Sequence, residues 1–475
     1  MKQTADVIIL GAGPGGYPAA IRAAQLGKKV VIIDKGTIGG ECLNWGCIPS
    51  KALISAANFY HKATVDAVKM GINIENVSVD VQKLQKWKWD VQTKLINGIK
   101  QLLKGNKVTT VIGTASFLDS HTVEILTNNG EKNVIAGQHI IIAIGTEFIS
   151  LPGFQIDEES ILSAKGALNL TKIPEEMLII GGGVIGMELG MVYAKFGAKI
   201  TVVELLPDIL PGIEPRITAL IKRRFKDLKA DIFTNSKATS VTKRKSGKLE
   251  VKIETKDQTI LKTFDKILLS VGKRSNTSSL NLKVTGVKTD EKGFIKVNKR
   301  LQTNIPNIYA IGDCTGMPFT AHKATKQGIV AAEVAAGLES EADFKALNVG
   351  AIFTDPEISF VGMNETEAKE AGYQVRNGIA RFGTSGRALT HLSTDGFVKV
   401  VSNAENGVIL GVQIVGPDAS DLISEASLAL EMGATVEDIG WTVHPHPTLP
   451  EMVMEAADTV LGKAIHQVNL TPRNR

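Results

Sequence analysis

The stretch that decides the fold reads DVIILGAGPGG over residues 6–16 and continues to VVIID over residues 30–34. The apolar run before the glycines predicts a buried strand, and the alanine-rich residues 17–26 predict a helix. The second apolar run predicts another strand, which ends at the acid Asp34. A strand, a glycine turn, a helix, a strand and an acid in this order predict a βαβ unit that binds a dinucleotide.

The same plan recurs later in the chain. Residues 177–186 read MLIIGGGVIG, residues 187–196 predict a helix, and residues 200–204 read ITVVE. In both units the acid lies 18 residues after the last glycine of the turn. Glycines could serve only as structural turns, but two complete copies, each with its acid, favour two dinucleotide sites.

Each residue of the repeated unit has a predicted task. The first glycine makes the tight turn, the second lets the backbone approach a pyrophosphate, and the third lets helix and strand pack closely. The free N–H groups of the helix start hold phosphates, and the acid accepts hydrogen bonds from ribose hydroxyls. Glu204 would repel a 2′-phosphate, which predicts NAD(H) rather than NADP(H) at the second site. The candidate residues are Gly11, Gly13, Gly16 and Asp34 in the first unit and Gly181, Gly183, Gly186 and Glu204 in the second.

Three further strand–turn segments follow the two units. Residues 139–146, which include Gly145, and residues 266–274, which include Gly272, are interpreted as chain crossings between domains. Residues 308–314 place Asp313 at a strand end, where ligands bind in open α/β sheets. After about residue 348 the alternating strand patterns predict a separate α+β domain. The fold class is therefore α/β, with two Rossmann-like domains and a C-terminal α+β dimerisation domain.

Length and charge narrow the class of protein. A chain of 475 residues is too long for one core and predicts three or four domains. The net charge is +5, and basic residues occur in short patches. We interpret these patches as solvated surface rather than as a nucleic-acid site. The segment KWKW at residues 86–89 is too short to argue for nucleic-acid binding. No apolar run is long enough to span a bilayer and no leader is recognised, so we expect a cytoplasmic protein.

Two of the three cysteines lie close together in GGECLNWGCIPSK, residues 39–51. Cys42 and Cys47 would be about 8.7 Å apart in a regular helix. A disulfide tolerates Cα atoms up to about 7 Å apart, so a bond here requires a distorted turn near Gly46 and Pro49. A redox-active disulfide is the favoured interpretation. A two-ligand metal site and two unlinked thiols are the alternatives.

Two charged residues could serve the cysteine pair. Lys51 follows Cys47 by four residues, and a nearby ammonium lowers the pKa of a thiol. Glu188 stands at the start of the second predicted helix and could pair with Lys51 across a domain junction. Each could equally be an ordinary surface charge.

A histidine cluster lies near the C-terminus, in WTVHPHPTLPE at residues 441–451. Thiol–disulfide exchange needs a proton acceptor, and histidine titrates in the required range. Glu451 could orient the ring of His444 or His446. A proline-rigidified loop with structural histidines and a metal site are the alternatives.

These motifs resemble the flavin-dependent pyridine nucleotide disulfide oxidoreductase family, class I, over essentially the whole chain. The resemblance rests on GCIPSK at 46–51, on the glycine turn at 181–190, on residues 310–313 and on HPHPTLPE at 444–451. It is strongest to those members that act on dihydrolipoamide.

The resemblance implies a role for each candidate residue. FAD would be held by the first glycine turn with Asp34, Lys51, Gly145, Asp313 and Ala321, and NAD by the second turn with Glu204 and Gly272. Cys42 would exchange with the substrate, and Cys47 would face the flavin. Lys51 would pair with Glu188. His446 would be the base, oriented by Glu451 and supplied by the partner subunit of a homodimer.

The resemblance also implies a domain order and a reaction. Residues 1–149 would bind FAD, 150–275 would bind NAD, 276–347 would complete the FAD site, and 348–475 would form the dimer interface. Electrons would pass from protein-bound dihydrolipoamide through the disulfide and FAD to NAD⁺. The partners would be lipoyl domains of a dihydrolipoamide acyltransferase or of a glycine cleavage H-type protein.

The chain departs from the family pattern at four positions near the motifs, one of which is Cys314, where an apolar residue is common. Trp45, Pro445 and Pro450 stand where smaller or different residues are usual, and Trp45 puts the breadth of substrates in question. A reductase for mercuric ion or another disulfide is the alternative enzyme, although residues 467–475 lack the extra cysteine pair of mercuric reductases. A soluble transhydrogenase would lack the cysteine pair. A non-enzymatic flavoprotein subunit is the third alternative.

Overall fold

The computed structural model describes residues 3–36, 38–344, 346 and 348–469. Its first sheet is centred on β1, whose residues Val7, Ile8, Ile9 and Leu10 are buried. β1 pairs in parallel with β2 on one side and with β5 on the other. β3 pairs in parallel with β2, and β4 pairs antiparallel with both β3 and β5. The bounds of these strands are β1 (Gln3–Leu10), β2 (Val30–Asp34), β3 (Thr109–Phe117), β4 (Thr122–Thr127) and β5 (Lys132–Ile142).

In the part of the chain that the structure describes, α1 to α4 come first in this unit, and α2 and α3 are one helix broken at a glycine. Gly46 has φ −135° and ψ −116°, which no α-helix accommodates. The predicted distortion between the two cysteines is therefore confirmed, because Cys42 lies in one helix and Cys47 begins the next. The bounds are α1 (Gly16–Gln25), α2 (Gly40–Trp45), α3 (Cys47–His61) and α4 (Val81–Gly105).

The second unit repeats the strand–turn–helix plan around a parallel five-stranded sheet of order β10-β9-β8-β14-β7. A three-stranded antiparallel sheet, β11-β12-β13, packs beside it. β6 and β15 form an antiparallel pair, so the two predicted chain crossings run side by side. The bounds are β6 (Thr146–Phe148), β7 (Ile161–Leu162), α5 (Ala164–Ala167), β8 (Glu176–Ile180), α6 (Val184–Lys195), β9 (Lys199–Val203), α7 (Pro215–Asp227), β10 (Asp231–Phe233), β11 (Lys237–Lys243), β12 (Leu249–Glu254), β13 (Thr259–Phe264), β14 (Lys266–Leu269) and β15 (Lys273–Ser275).

The chain then returns to the first unit. β16 (Ile308–Ala310) joins the first sheet beside β5, and α8 (Ala321–Ala335) packs on α1. The contact is close: a Cβ on Gly328 of α8 would lie 2.3 Å from the carbonyl oxygen of Gly15. β16 and α8, which are far from β1 and α1 in sequence, thus complete the first sheet and the helix layer beside it.

A five-stranded antiparallel sheet, of order β17-β18-β21-β20-β19, forms the C-terminal α+β domain. Helices α11 and α13 pack against it. The bounds are β17 (Val349–Ile352), β18 (Glu357–Gly362), α9 (Glu365–Glu370), β19 (Val375–Arg381), α10 (Gly386–Thr390), β20 (Phe397–Asn403), β21 (Ile409–Gly416), α11 (Ala419–Met432), α12 (Val436–Trp441) and α13 (Glu451–Val460). The predicted mixed α/β architecture is confirmed. The individual domain boundaries stay predictions, and residue 347 at the last of them, like tail residues 470–475, lies outside the described residues.

One apolar core joins the three parts of the chain. Leu53 of α3, Met187 of α6 and Ile358 of β18 belong to the same buried cluster. A charged contact lies at the same junction: Asp355 is 2.6 Å from the Nζ of Lys195 and 2.5 Å from a guanidinium nitrogen of Arg224. The side chain of Lys195 is only 2% exposed, so its charge depends on this contact.

No helix in the part of the chain that the structure describes is both long enough and apolar enough to cross a membrane.

Substituting Asp355 is expected to weaken this junction. Burial alone would raise the pKa of Asp355, but Lys195 and Arg224 hold it at about 2. Asp355→Asn leaves Lys195 buried without its anion, which should cost about 3 kcal/mol of unfolding free energy at pH 7. The carboxylate stabilises the fold above its unfolded pKa of about 3.9 and loses that effect towards about pH 2.

The free energies of unfolding of wild type and Asp355→Asn, from urea titrations, should therefore converge as the pH falls from about 4 to about 2. Asp90→Asn, which removes an exposed pair with Lys86, is the matched control and should change stability by less than about 1 kcal/mol. Equal effects of the two substitutions at pH 7 would contradict the assigned role of Asp355.

Candidate functional site

The first glycine turn leaves no room for side chains on its inner face. A Cβ on Gly11 would lie 2.4 Å from the carbonyl oxygen of Ala143, and one on Gly16 would lie 1.8 Å from the carbonyl oxygen of Gly11. Gly11 also has φ +103°, a conformation that glycine adopts without strain. The turn is therefore pressed against the chain segment that leaves β5.

The second turn repeats these contacts. A Cβ on Gly181 would lie 2.5 Å from the carbonyl oxygen of Ser270, and one on Gly186 would lie 2.3 Å from that of Gly181. Around the middle glycine, Gly183, a Cβ would meet nothing within 4 Å. Close packing behind the turn and open space in front of it fit a pyrophosphate that approaches the backbone.

The two acids make equivalent hydrogen bonds. Asp34 accepts from the backbone N–H of Ala12 at 2.7 Å and of Gly36 at 2.8 Å. Glu204 accepts from the backbone N–H of Gly182 at 2.5 Å and of Leu206 at 2.7 Å. In each unit the first donor follows the first glycine and the second lies two residues after the acid. Both carboxylates are thus fixed beside their turn, where a ribose would lie.

The surroundings of the two turns differ. The first turn opens into a cavity of about 270 Å³. Beside the second turn, the residues Val184, Leu205 and Leu206 are 42%, 67% and 45% exposed. Gly272, predicted at this second site, has φ +111° and directly precedes β15.

Most of the residues predicted for the first dinucleotide line the cavity. They are Gly11, Gly13, Asp34, Gly145, Asp313 and Ala321, and Cys42, Trp45 and Cys47 line it with them. Gly16 lies behind the turn, where it permits the helix to pack. The predicted first site and the cysteine pair therefore share one cavity.

The two thiols are in side-chain contact, and their proton affinities differ. The hydrogen bond from Cys42, helped by the ammonium of Lys51, lowers the pKa of Cys47 against the effect of burial. The same hydrogen bond, together with burial, raises the pKa of Cys42. The pair therefore holds a thiolate on Cys47 in preference to Cys42.

Lys51 is held by groups from two other parts of the chain. Its Nζ lies 2.8 Å from Oε2 of Glu188, which is buried on α6. The backbone N–H of Phe353 donates to the other oxygen of Glu188 at 2.9 Å, and Lys51 lies 4.3 Å from the centre of the Phe353 ring. The structure thus brings together the pair that the sequence placed 137 residues apart.

Two charged residues at the cavity were missed by the sequence analysis. Lys273 forms an ion pair with Glu41, and both lie near Asp313. Burial raises the pKa of Asp313, while Lys273 and Lys323 oppose that effect. The only sequence signal for Lys273 was its position directly after Gly272.

The two C-terminal histidines bond to different carboxylates. The side chain of His444 is only 5% exposed and lies 2.8 Å from Glu425, and that contact raises its pKa. His446 is 78% exposed, and its Nδ1 lies 2.8 Å from Oε1 of Glu451. Among the described residues that line the cavity, none comes from the C-terminal domain. Within one chain His446 is therefore not brought to the cysteines.

Two family models match the chain. "Pyridine nucleotide-disulphide oxidoreductase" covers residues 5–328, and the dimerisation domain of the same family covers residues 349–457.

Known relatives match nearly the whole chain. A dihydrolipoyl dehydrogenase of Geobacillus stearothermophilus is 46% identical over 97% of both chains, and one of Bacillus subtilis is 45% identical over 98% of both. The crystal structure of LpdA from Mycobacterium tuberculosis superposes with a TM-score of 0.88 at 27% identity, covering 96% of this chain and 99% of that one.

Proposed function

We propose that this chain, which belongs to the pyridine nucleotide-disulphide oxidoreductase family, oxidises protein-bound dihydrolipoamide and passes the electron pair to NAD⁺. The observation that carries the proposal is that Cys42 and Cys47 touch each other in the same cavity as the first glycine turn. A dithiol and a dinucleotide site are thereby placed within reach of each other.

The residues around the two turns fit FAD and NAD. Behind each turn a Cβ would clash, and a fixed acid stands beside each turn. The first turn faces the cavity, and Gly183 of the second turn faces open space. FAD, when bound in the cavity, supplies an electron-pair carrier between the cysteines and NAD⁺. We assign Gly11, Gly13, Gly16, Asp34, Lys51, Gly145, Asp313 and Ala321 to FAD, and Gly181, Gly183, Gly186, Glu204 and Gly272 to NAD.

The cysteines carry out the exchange with substrate. A thiolate of dihydrolipoamide attacks Sγ of Cys42 in the oxidised pair, so that a mixed disulfide forms and Cys47 leaves as a thiolate. The second substrate thiol then displaces Cys42 and closes the lipoamide ring. Lys51 stabilises the thiolate on Cys47, and Glu188 holds Lys51 in place.

The proton acceptor comes from a second copy of the chain. His446 is exposed, is fixed by Glu451 and does not line its own chain's cavity. The dimerisation domain supports a homodimer. In that dimer we place His446 of the partner subunit beside Cys42. The lipoyl group would arrive on a dihydrolipoamide acyltransferase or a glycine cleavage H-type protein, in the cytoplasm.

The substrate is tested by comparing initial rates of the purified, flavin-loaded dimer. Dihydrolipoamide with NAD⁺ should be turned over far faster than NADH with oxidised glutathione or mercuric ion. NAD⁺ should be preferred over NADP⁺, because Glu204 repels a 2′-phosphate. A higher rate with mercuric ion or glutathione would assign the chain to the alternative reductase, and no turnover with any of them would favour a non-enzymatic flavoprotein.

Cys47→Ser should abolish the long-wavelength absorbance band of the anaerobically two-electron-reduced enzyme, because that band requires a thiolate at residue 47. Turnover of dihydrolipoamide should fall by at least about 10³-fold. Cys42→Ser is the matched control, since a serine hydroxyl still donates to Cys47, and the band should remain. A band that persists in Cys47→Ser would reverse the assignment of the two cysteines.

His446→Gln should lower dihydrolipoamide turnover by about 10² to 10⁴-fold, the usual contribution of a general base. Reduction of an artificial acceptor by NADH needs no such base and should change little. His444→Gln is the comparison, because His444 faces Glu425 instead of Glu451. A larger loss of dihydrolipoamide turnover in His444→Gln than in His446→Gln would move the base to His444.

A further inference from the structure

The inner face of α4 carries three long polar side chains. Gln85, Lys88 and Gln92 are three and four residues apart, so they point to the same side of the helix. Lys88 and Gln92 are each only 2% exposed. A lysine is rarely buried to this extent without an acidic partner.

Lys88 reaches into the second unit. Its Nζ lies 2.5 Å from the carbonyl oxygen of Leu168 and 2.8 Å from Oδ1 of Asn169, directly after α5. Gln85 donates to the carbonyl oxygens of Leu168 and Leu170 at 3.2 and 3.0 Å. All these acceptors are neutral, and burial lowers the pKa of Lys88 to about 8. Among the described residues, the backbone carbonyl of Leu168 and the side-chain amide oxygen of Asn169 are the hydrogen-bond acceptors shown for this ammonium.

Gln92 reaches in the other direction, to the helix that carries Cys42. Its Nε2 donates to the carbonyl oxygens of Leu43 and Asn44 at 3.0 and 2.7 Å. These carbonyls belong to the last turn of α2 and have no acceptor role inside that short helix. One turn of α4 thus separates a contact with the disulfide helix from a contact with the second unit.

Trp45 makes a contact between α2 and α5. It ends α2, and the Nζ of Lys165 on α5 lies 5.5 Å from the centre of its ring. The unusual residue of the cysteine motif therefore makes a direct contact with the second unit, beside the link through α4.

We infer that α4 positions two other parts of the chain: Lys88 sets the placement of the NAD-binding unit, and Gln92 sets the placement of the redox cysteines. The inference rests on the proposed function for its kinetic readouts. Both residues act through hydrogen bonds to groups outside α4, and neither lines the cavity that the cysteines share with the first turn. Loss of Lys88 should therefore affect the NAD⁺ half of the reaction and leave the cysteine half intact. Loss of Gln92 should do the opposite.

Lys88→Met in the flavin-loaded dimer tests the first half of the inference. We expect NAD⁺ to bind about tenfold more weakly in calorimetry, with a matching rise of KM for NAD⁺. Reduction of the enzyme by dihydrolipoamide in stopped flow should stay within about twofold of wild type, since α2 keeps Gln92. Asn169→Ala, at an exposed position, removes one acceptor of Lys88 and should give the same change in smaller measure should Lys88→Met fold poorly.

Gln92→Leu tests the second half with the opposite expectation. The rate of iodoacetamide alkylation of Cys42 in the reduced enzyme should change by about tenfold, and NAD⁺ affinity should not change. Lys94→Met, at an exposed position of α4, is the matched control and should alter neither. The inference is overturned if Lys88→Met and Gln92→Leu affect both halves equally, or if neither affects its own half.

The two readouts that need no turnover separate this inference from the proposed function. If wild type failed to oxidise dihydrolipoamide, the proposed function would fail, while NAD⁺ affinity and alkylation would still decide the role of α4.

Discussion

Two glycine turns depend on the absence of a Cβ, and the arrangement of the molecule follows from them. Gly11 and Gly181 each lie against a carbonyl oxygen of the segment that later crosses between the units, Ala143 in one case and Ser270 in the other. Any side chain at these points would separate the turn from the crossing strand. Because both crossings pair as β6 and β15, the two dinucleotide sites are held in a defined relation.

The parts of the fold that sequence predicts well are those specified by neighbouring residues. Both βαβ units, the break at Gly46 and the C-terminal strands follow from local apolar patterns and glycine positions. The pair of Lys51 and Glu188 was predicted only as a possibility, because the residues are 137 positions apart. The burial of Lys88 could not be predicted, since its acceptors lie about eighty residues further along the chain.

Charge at the cysteine pair is controlled from three directions. Cys42 donates a hydrogen bond to Cys47, Lys51 places an ammonium near it, and Glu188 fixes Lys51 with help from the backbone of Phe353. These groups come from the disulfide helices, from the second unit and from the C-terminal domain. One buried core includes residues from all three of these parts and keeps the groups around the thiolate in place.

The two turns share their hydrogen bonds but not their enclosure. Asp34 and Glu204 are fixed by equivalent backbone donors, yet one turn opens into a cavity and the other is bordered by the exposed residues Val184, Leu205 and Leu206. The residence time of a ligand is governed by the contacts that must break before it escapes. The same local structure, used twice, can thus retain one dinucleotide in the first unit and release the other dinucleotide from the second unit in every catalytic cycle.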